Sequence, residues 1–139
     1  MARRHGTAVE IGGRAVLIEG PPGSGKSRLA LQLIDRKANL ISDDQVDICE
    51  RGQGAVLKAI VGFEGRLEAR GLGIIEVPAC AEAPLALVVR LVDRVERLPE
   101  PQTCRIGGAD VPLIEVERGN PLAALYVELS LNGRVMPLD

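Results

Sequence analysis

Aromatic side chains are nearly missing from this sequence: one Phe (Phe63), one Tyr (Tyr126) and no Trp among 139 residues. The core must then be aliphatic, and the stacking platforms that single-stranded nucleic acids need are not available. Cysteine is scarce as well. Cys49, Cys80 and Cys104 are odd in number and lack C-x-x-C spacing, which argues against a disulfide framework or a structural zinc site. They read as small buried hydrophobes. Neither sign of charge dominates, with 17 Lys and Arg against 19 Asp and Glu and a formal net charge of −2. A protein held by nucleic-acid phosphates needs a clear basic excess, so no nucleic-acid partner is expected. Long apolar runs are missing too. The longest, Leu85 to Val92, is interrupted by Arg90 and falls far short of the ~20 residues of a membrane span. After the basic start Met1-Ala2-Arg3-Arg4-His5, Gly6 to Arg14 carries Glu10 and glycines instead of the roughly 7–15-residue apolar centre of a signal peptide. A cytoplasmic protein without membrane association is expected.

What is present suits one domain over residues 1–139, a length that can bury a core of its own. Thr7 to Ile11 alternates and reads as a strand, Gly12-Gly13 as a hairpin turn, and Ala15-Val16-Leu17-Ile18 as a strand buried on both faces. Ser27 to Arg36 has helical spacing and good helix formers. Further strands are read at Asn39–Ser42, Val46–Cys49, Val56–Ile60, Gly73–Val77, Leu85–Val92, Cys104–Ile106 and Val111–Val116. Asn120-Pro121 reads as a helix start with Pro at the first helical position, followed by Leu122 to Leu129. Two helices and about eight strands predict an α/β domain, β-rich with a mixed sheet, one helix after a glycine-rich loop and a second at the C-terminus.

That loop is Gly20-Pro21-Pro22-Gly23-Ser24-Gly25-Lys26-Ser27, which fits the phosphate-binding pattern G-x-x-x-x-G-K-[ST]. Glycines let the backbone wrap closely and turn several N–H groups toward phosphate oxygens. Lys26 adds a positive charge near the β/γ-phosphates, the Ser27 hydroxyl can reach Mg²⁺, and the positive end of the following helix faces the same anion. An apolar strand precedes the loop and an amphipathic helix follows it, the context this motif requires. Nucleotide binding follows from this; the use made of the phosphate does not.

Phosphoryl transfer also needs charge neutralisation and a residue that positions the nucleophile. Asp43 and Asp44 close the next strand, at the edge where α/β proteins bind ligands. A carboxylate there can hold Mg²⁺ or act as a general base. Asp93, at the end of the run Leu85 to Val92, is a rival metal ligand. No N-K-x-D guanine-reading motif is present, which disfavours an ordinary GTPase.

Gly20 to Ser27, Asp43-Asp44 and the string Leu67-Glu68-Ala69-Arg70-Gly71-Leu72-Gly73-Ile74 together resemble the catalytic domain of the HPr kinase/phosphorylase family. The E-x-R-G-L-G-I string is far more specific than the loop alone. The likeness runs from His5 to about Arg97 and thins afterwards, as in a shortened member without the family's N-terminal domain and part of its C-terminal region. The resemblance implies an ATP- and Mg²⁺-dependent kinase acting on a serine of the phosphocarrier protein HPr, reversible by phosphorolysis, in the regulation of the phosphotransferase system. It implies that Lys26 holds the transferred phosphate, that Ser27 and Glu68 bind Mg²⁺, and that Asp44 is the acid–base residue. His5 matches the family's histidine ahead of the loop, Arg70 falls in the stretch used by both activities, and Arg97 resembles the later catalytic arginine, with Arg94 close by. The family forms hexamers, so a homo-oligomer is implied. The segment Val111 to Asn120 departs from the family's dephosphorylation segment except at Arg118-Gly119-Asn120. Two other readings of the loop stand beside this one: a small-molecule kinase, and a non-catalytic nucleotide-sensing module that signals to a partner.

Overall fold

The computed structural model describes residues 1–138. In chain order the strands are β1 (Ala2–His5), β2 (Thr7–Ile11), β3 (Arg14–Glu19), β4 (Asn39–Ser42), β5 (Gln45–Arg51) and β6 (Gly54–Lys58). They continue with β7 (Arg66–Ala69), β8 (Gly73–Glu76), β9 (Glu82–Val92), β10 (Gln102–Ile106) and β11 (Ala109–Glu117). Helix α1 (Lys26–Asp35) joins β3 to β4, and α2 (Ala123–Leu131) follows β11.

Seven strands run in the order β1-β5-β6-β9-β3-β2-β4, and β11 adds to β9 and β10 to β11 in the same mixed sheet. Strand β9 organises it. Its first residues pair antiparallel with β6 (Val56 opposite Pro84). Farther along, it runs parallel to β3 (Leu17 opposite Val88) and to β11 (Leu113 opposite Val88). The sheet curls around this change of partners and separates two aliphatic cores. Alternation along β3 shows how. Val16 and Ile18 pack toward the helices with Leu29, Leu33 and Val127, whereas Ala15 and Leu17 pack into the curl with Val46, Leu57 and Leu113. A strand covered on both faces carries apolar residues at consecutive positions, each burial contributing about 1.5–3 kcal/mol. Both aromatics stay out of these cores: Phe63 and Tyr126 are exposed.

The mixed, β-rich sheet with two helices is the architecture the sequence predicts, and the hairpins at Gly12-Gly13, Gly52 and Gly107-Gly108 fall where the glycines place them. Details differ. The described residues contain eleven strands, two beyond the nine segments named from the sequence. The additional ones are β1, an edge strand carrying Arg3, Arg4 and His5, and β7, where Leu67 alone is fully buried. Neither offers the apolar alternation that marks a half-buried strand. Helix α2 also starts later than expected. The Asn120 side chain accepts the Leu122 amide at 2.9 Å and its carbonyl accepts the Ala123 amide at 3.1 Å, so Asn120-Pro121 makes a turn and the helix begins at Ala123. The three cysteines are half-buried free thiols: Cys80 and Cys104 lie at the margin of a core, and Cys49 lies on β5. Among the described residues no helix is long and apolar enough to cross a membrane.

Candidate active site

Two separate constraints shape the loop between β3 and α1. Gly20 is fixed by crowding: a Cβ there would lie 2.5 Å from Ser24 Oγ and 3.2 Å from Leu91 Cβ. Gly23 (φ 78°) and Gly25 (φ 100°) adopt left-handed backbone that side chains resist. The Ser24 amide closes the turn onto the Pro21 carbonyl at 3.0 Å. Lys26 Nζ folds back over the loop and donates to the Gly20 carbonyl at 2.8 Å and the Pro21 carbonyl at 3.3 Å. Helix α1 has no side-chain cap and no acidic residue in its first turn. Its amino end is therefore left open to an anion, which the helix dipole favours.

Asp43 is the hub that ties this loop to the rest of the site. Its Oδ1 accepts the Ser27 hydroxyl at 2.7 Å and the Thr7 hydroxyl at 3.0 Å, and its Oδ2 accepts the Glu68 amide at 3.1 Å. One carboxylate thus joins α1, β2 and β7. Asp44 behaves otherwise. Its backbone is left-handed (φ 69°), its amide donates to Thr7 Oγ1 at 3.4 Å, and its carbonyl accepts the Gly6 amide at 2.9 Å. The Asp44 carboxylate itself is exposed and makes no hydrogen bond among the described residues. It lines an open cleft of about 460 Å³ together with Asp43, Glu68 and the apolar side chains of Ile60, Phe63 and Ile74. Left-handed backbone at a non-glycine residue is strained, and such strain gathers at functional positions.

The remaining candidates spread around this centre. His5 ends β1 opposite Gln45 in register, adjacent in the chain to Asp44, and its side chain is exposed. Arg70 leaves the end of β7 and reaches over the loop, with Nη1 3.9 Å from where a Gly23 Cβ would stand. Arg97 lies exposed in the connection from β9 to β10, with no ion pair or hydrogen bond to the loop. The arginine in contact with the loop is Arg118, at the end of β11. It donates to the Gly23 carbonyl at 3.4 Å and pairs with Asp93 at 3.3 Å. Asp93, the rival metal ligand, is thereby engaged with a cation on the surface. Sequence reasoning missed Arg118 as a loop residue; its place just before Gly119, where β11 ends at the same edge as β3 and β9, was the available signal. It missed Thr7 as well, which only the pairing of β2 with β4 brings to the aspartates.

A second charged group braces the loop from below. Glu19, the last residue of β3, accepts Arg4 Nε at 2.6 Å and Arg90 Nη2 at 3.1 Å. The hydrogen bond that Arg4 donates to Glu19 holds the guanidinium pKa above its ordinary value, so it stays charged at any working pH.

A glycine-rich loop at the carboxyl edge of a mixed sheet, running into an uncapped helix and faced by an acid just past the end of β4, two strands away, is the arrangement of P-loop domains. Residues 1–125 match the family described as the HPr Serine kinase C-terminal domain, and the chain belongs to that family. It is 49% identical to the HPr kinase/phosphorylase of Clostridium acetobutylicum over 55% of this chain and 25% of the relative. It is 35% identical to that of Burkholderia lata over 99% of this chain and 47% of the relative. The chain therefore spans about half or less of the curated relatives it matches. Among solved structures it resembles the Hpr(Ser) kinase/phosphatase from Coxiella burnetii, with a TM-score of 0.84 and 29% identity, covering 96% of this chain and 91% of that one.

The donor set suits a magnesium ion shared with nucleotide phosphates. Among the described residues no three His, Cys, Asp or Glu side chains are grouped to enclose a metal. Mg²⁺ does not need such a cage, since it keeps several waters and takes one or two carboxylates plus phosphate oxygens. The Ser27 hydroxyl beside Asp43, with Glu68 lining the same cleft as Asp43, supplies oxygen donors of that kind.

Proposed function

We propose that this chain transfers the γ-phosphoryl group of ATP to a serine hydroxyl of HPr or a related small phosphocarrier protein, in a Mg²⁺-dependent reaction. The observation that carries this reading is the Asp44 carboxylate, set on left-handed backbone in an open cleft and without a hydrogen bond among the described residues, next to Asp43, which accepts the hydroxyl of Ser27 at the start of α1. A nucleotide seated with its phosphates on Gly20 to Lys26 exchanges the Lys26 contacts to loop carbonyls for contacts to phosphate. Asp44 takes the proton of the serine hydroxyl, the serine oxygen bonds to the γ-phosphorus, and the bond from that phosphorus to the β-γ bridging oxygen breaks to release ADP. Ser27 and Glu68 would hold Mg²⁺, which would supply neutralising charge at the phosphates. Lys26 and the guanidinium of Arg70 stabilise the same charge from the loop side. An acceptor that is itself a protein suits a cleft open to solvent rather than an enclosed metabolite pocket.

Incubation with Mg·ATP and purified HPr, followed by mass spectrometry, should yield a phosphoserine, and later addition of inorganic phosphate assays the reverse reaction. Asp44→Asn should keep its nucleotide affinity and lose transfer. Absence of phosphoserine with the wild type, or equal loss of binding and transfer in Asp44→Asn, would refute the assignment.

A further inference from the structure

The segment from Ile60 to Ile74 carries an unusual load of apolar surface in water. Val61 is 87% exposed, Phe63 64%, Leu72 79% and Ile74 65%, although the chain has both cores available to receive such side chains. The backbone explains why they face outward. A turn closed by the Phe63 amide on the Ile60 carbonyl (3.2 Å) feeds β7, and the β7–β8 register sets Leu67 opposite Ile75 on the core side. The same register puts Ile74 directly opposite Glu68 on the other side, toward the cleft. Phe63 is one of two aromatic residues in the chain, and it stands at the mouth of the cleft that holds Asp44. Arg66 stands beside it and forms no ion pair among the described residues, whereas the other arginine of the cleft, Arg3, is occupied by Asp47 at 2.9 Å.

We propose that Phe63, Ile74 and the free guanidinium of Arg66 form the acceptor-docking rim of this site. They would select a protein whose target serine is flanked by an apolar side chain and a nearby carboxylate. The assignment rests on the reading of Asp44 as the base, and adds what that reading leaves open: which feature of the acceptor is recognised. Clustered exposed apolar side chains mark interaction surfaces, and those beside a reactive group mark where its macromolecular substrate lies. Continuity with the cleft, the aromatic anchor and the unpaired cation favour a protein acceptor over a second copy of this chain. The phosphate loop, Gly20 to Ser27, is not part of the lining of the cleft these three side chains share. Their contribution is therefore to acceptor binding, while proton transfer and phosphate charge are handled elsewhere.

The test uses Phe63→Ser with Ile74→Ser, and separately Arg66→Glu, on surface positions where folding is not at stake. With Mg·ATP saturating and purified HPr as the probe, the double variant should raise KM for the protein about tenfold or more with kcat within about twofold, the pattern of lost ground-state binding. Arg66→Glu should raise KM at low salt, with the difference shrinking as salt screens it. Calorimetric affinity for Mg·ATP should be unchanged in both. Wild-type transfer with no change in KM in the variants would overturn the docking assignment while leaving the kinase reading intact. A wild type that binds Mg·ATP but phosphorylates no protein would overturn both. A drop in sedimentation coefficient in the double variant would also overturn the assignment, because the rim would then join copies of this chain.

Discussion

Asp43→Asn and Asp44→Asn are the same chemical change one residue apart, and the structure predicts opposite outcomes for stability, while the proposed role of Asp44 predicts loss of transfer without loss of fold. Asp43 accepts three hydrogen bonds, from Ser27, Thr7 and the Glu68 amide. If the new amide oxygen keeps the Oδ1 position, both hydroxyls retain an acceptor, but the NH₂ group then faces the Glu68 N–H, donor against donor. One hydrogen bond to a charged acceptor is lost, worth about 1.5–3 kcal/mol, and two others fall from charged to neutral strength. The expected loss is about 3 kcal/mol, a drop in Tm on the order of 10 °C for a domain of this length. Asp44 has an exposed carboxylate without a partner, and Asn tolerates its left-handed backbone as well as Asp does. Asp44→Asn should stay within about 0.5 kcal/mol of wild type. Urea denaturation without nucleotide or metal measures both values, and a phosphotransfer assay follows on the same samples. The Asp43 variant should be unstable, whereas the Asp44 variant should be stable and inactive. Equal stability losses in the two variants, or an unaffected Asp43 variant, would show that the hydrogen-bonded hub does not exist in solution.

Lys26→Ala should leave the melting temperature of the free protein within a few degrees, since only two contacts to loop carbonyls are lost, one part-buried and one exposed, yet it should abolish the rise in Tm on adding Mg·ATP. Glu19→Gln strips the shared partner from Arg4 and Arg90, and should cost about 2 kcal/mol in denaturant titrations, with part of the loss recovered in high salt. Gly20→Ala forces a Cβ against Ser24 Oγ and should destabilise by about 1–3 kcal/mol. Ser24→Ala removes both that obstacle and a buried hydroxyl without a partner, so it should stabilise the wild type and rescue Gly20→Ala, a coupling that a thermal double-mutant cycle reads directly.

The parts of the fold that could be read from sequence are those where one physical signal acts locally. Ala15 to Ile18 declares a strand covered on both faces, Gly12-Gly13 and Gly107-Gly108 declare hairpins, and the glycines from Gly20 to Gly25 declare a tight loop that runs into a helix. Strands β1 and β7 were illegible because their stability comes from partners. The arginines of β1 are held by Asp47 and Glu19, and β7 is held through Leu67 beneath α1 and β4. Asn120-Pro121 misled in the opposite way, since its signal is local and genuine but marks a turn stabilised by the Asn120 side chain one step before the helix.

The aspartate doublet shows where sequence stops being informative about a site. Two identical side chains in succession must point in different directions, and only the strand that ends beneath them decides which one meets the hydroxyls of Thr7 and Ser27. The left-handed turn at Asp44 settles this by aiming one carboxylate inward as a fastener and leaving the other in the cleft without a partner. A fastener needs hydrogen bonds, and a base needs a vacant oxygen that an incoming hydroxyl can reach. Assigning both tasks to one carboxylate would make every proton taken from substrate cost the loop its anchor. Under the proposed assignment, dividing them would let Asp44 take and return the substrate proton while Asp43 keeps the loop, β2 and the β7–β8 hairpin in register.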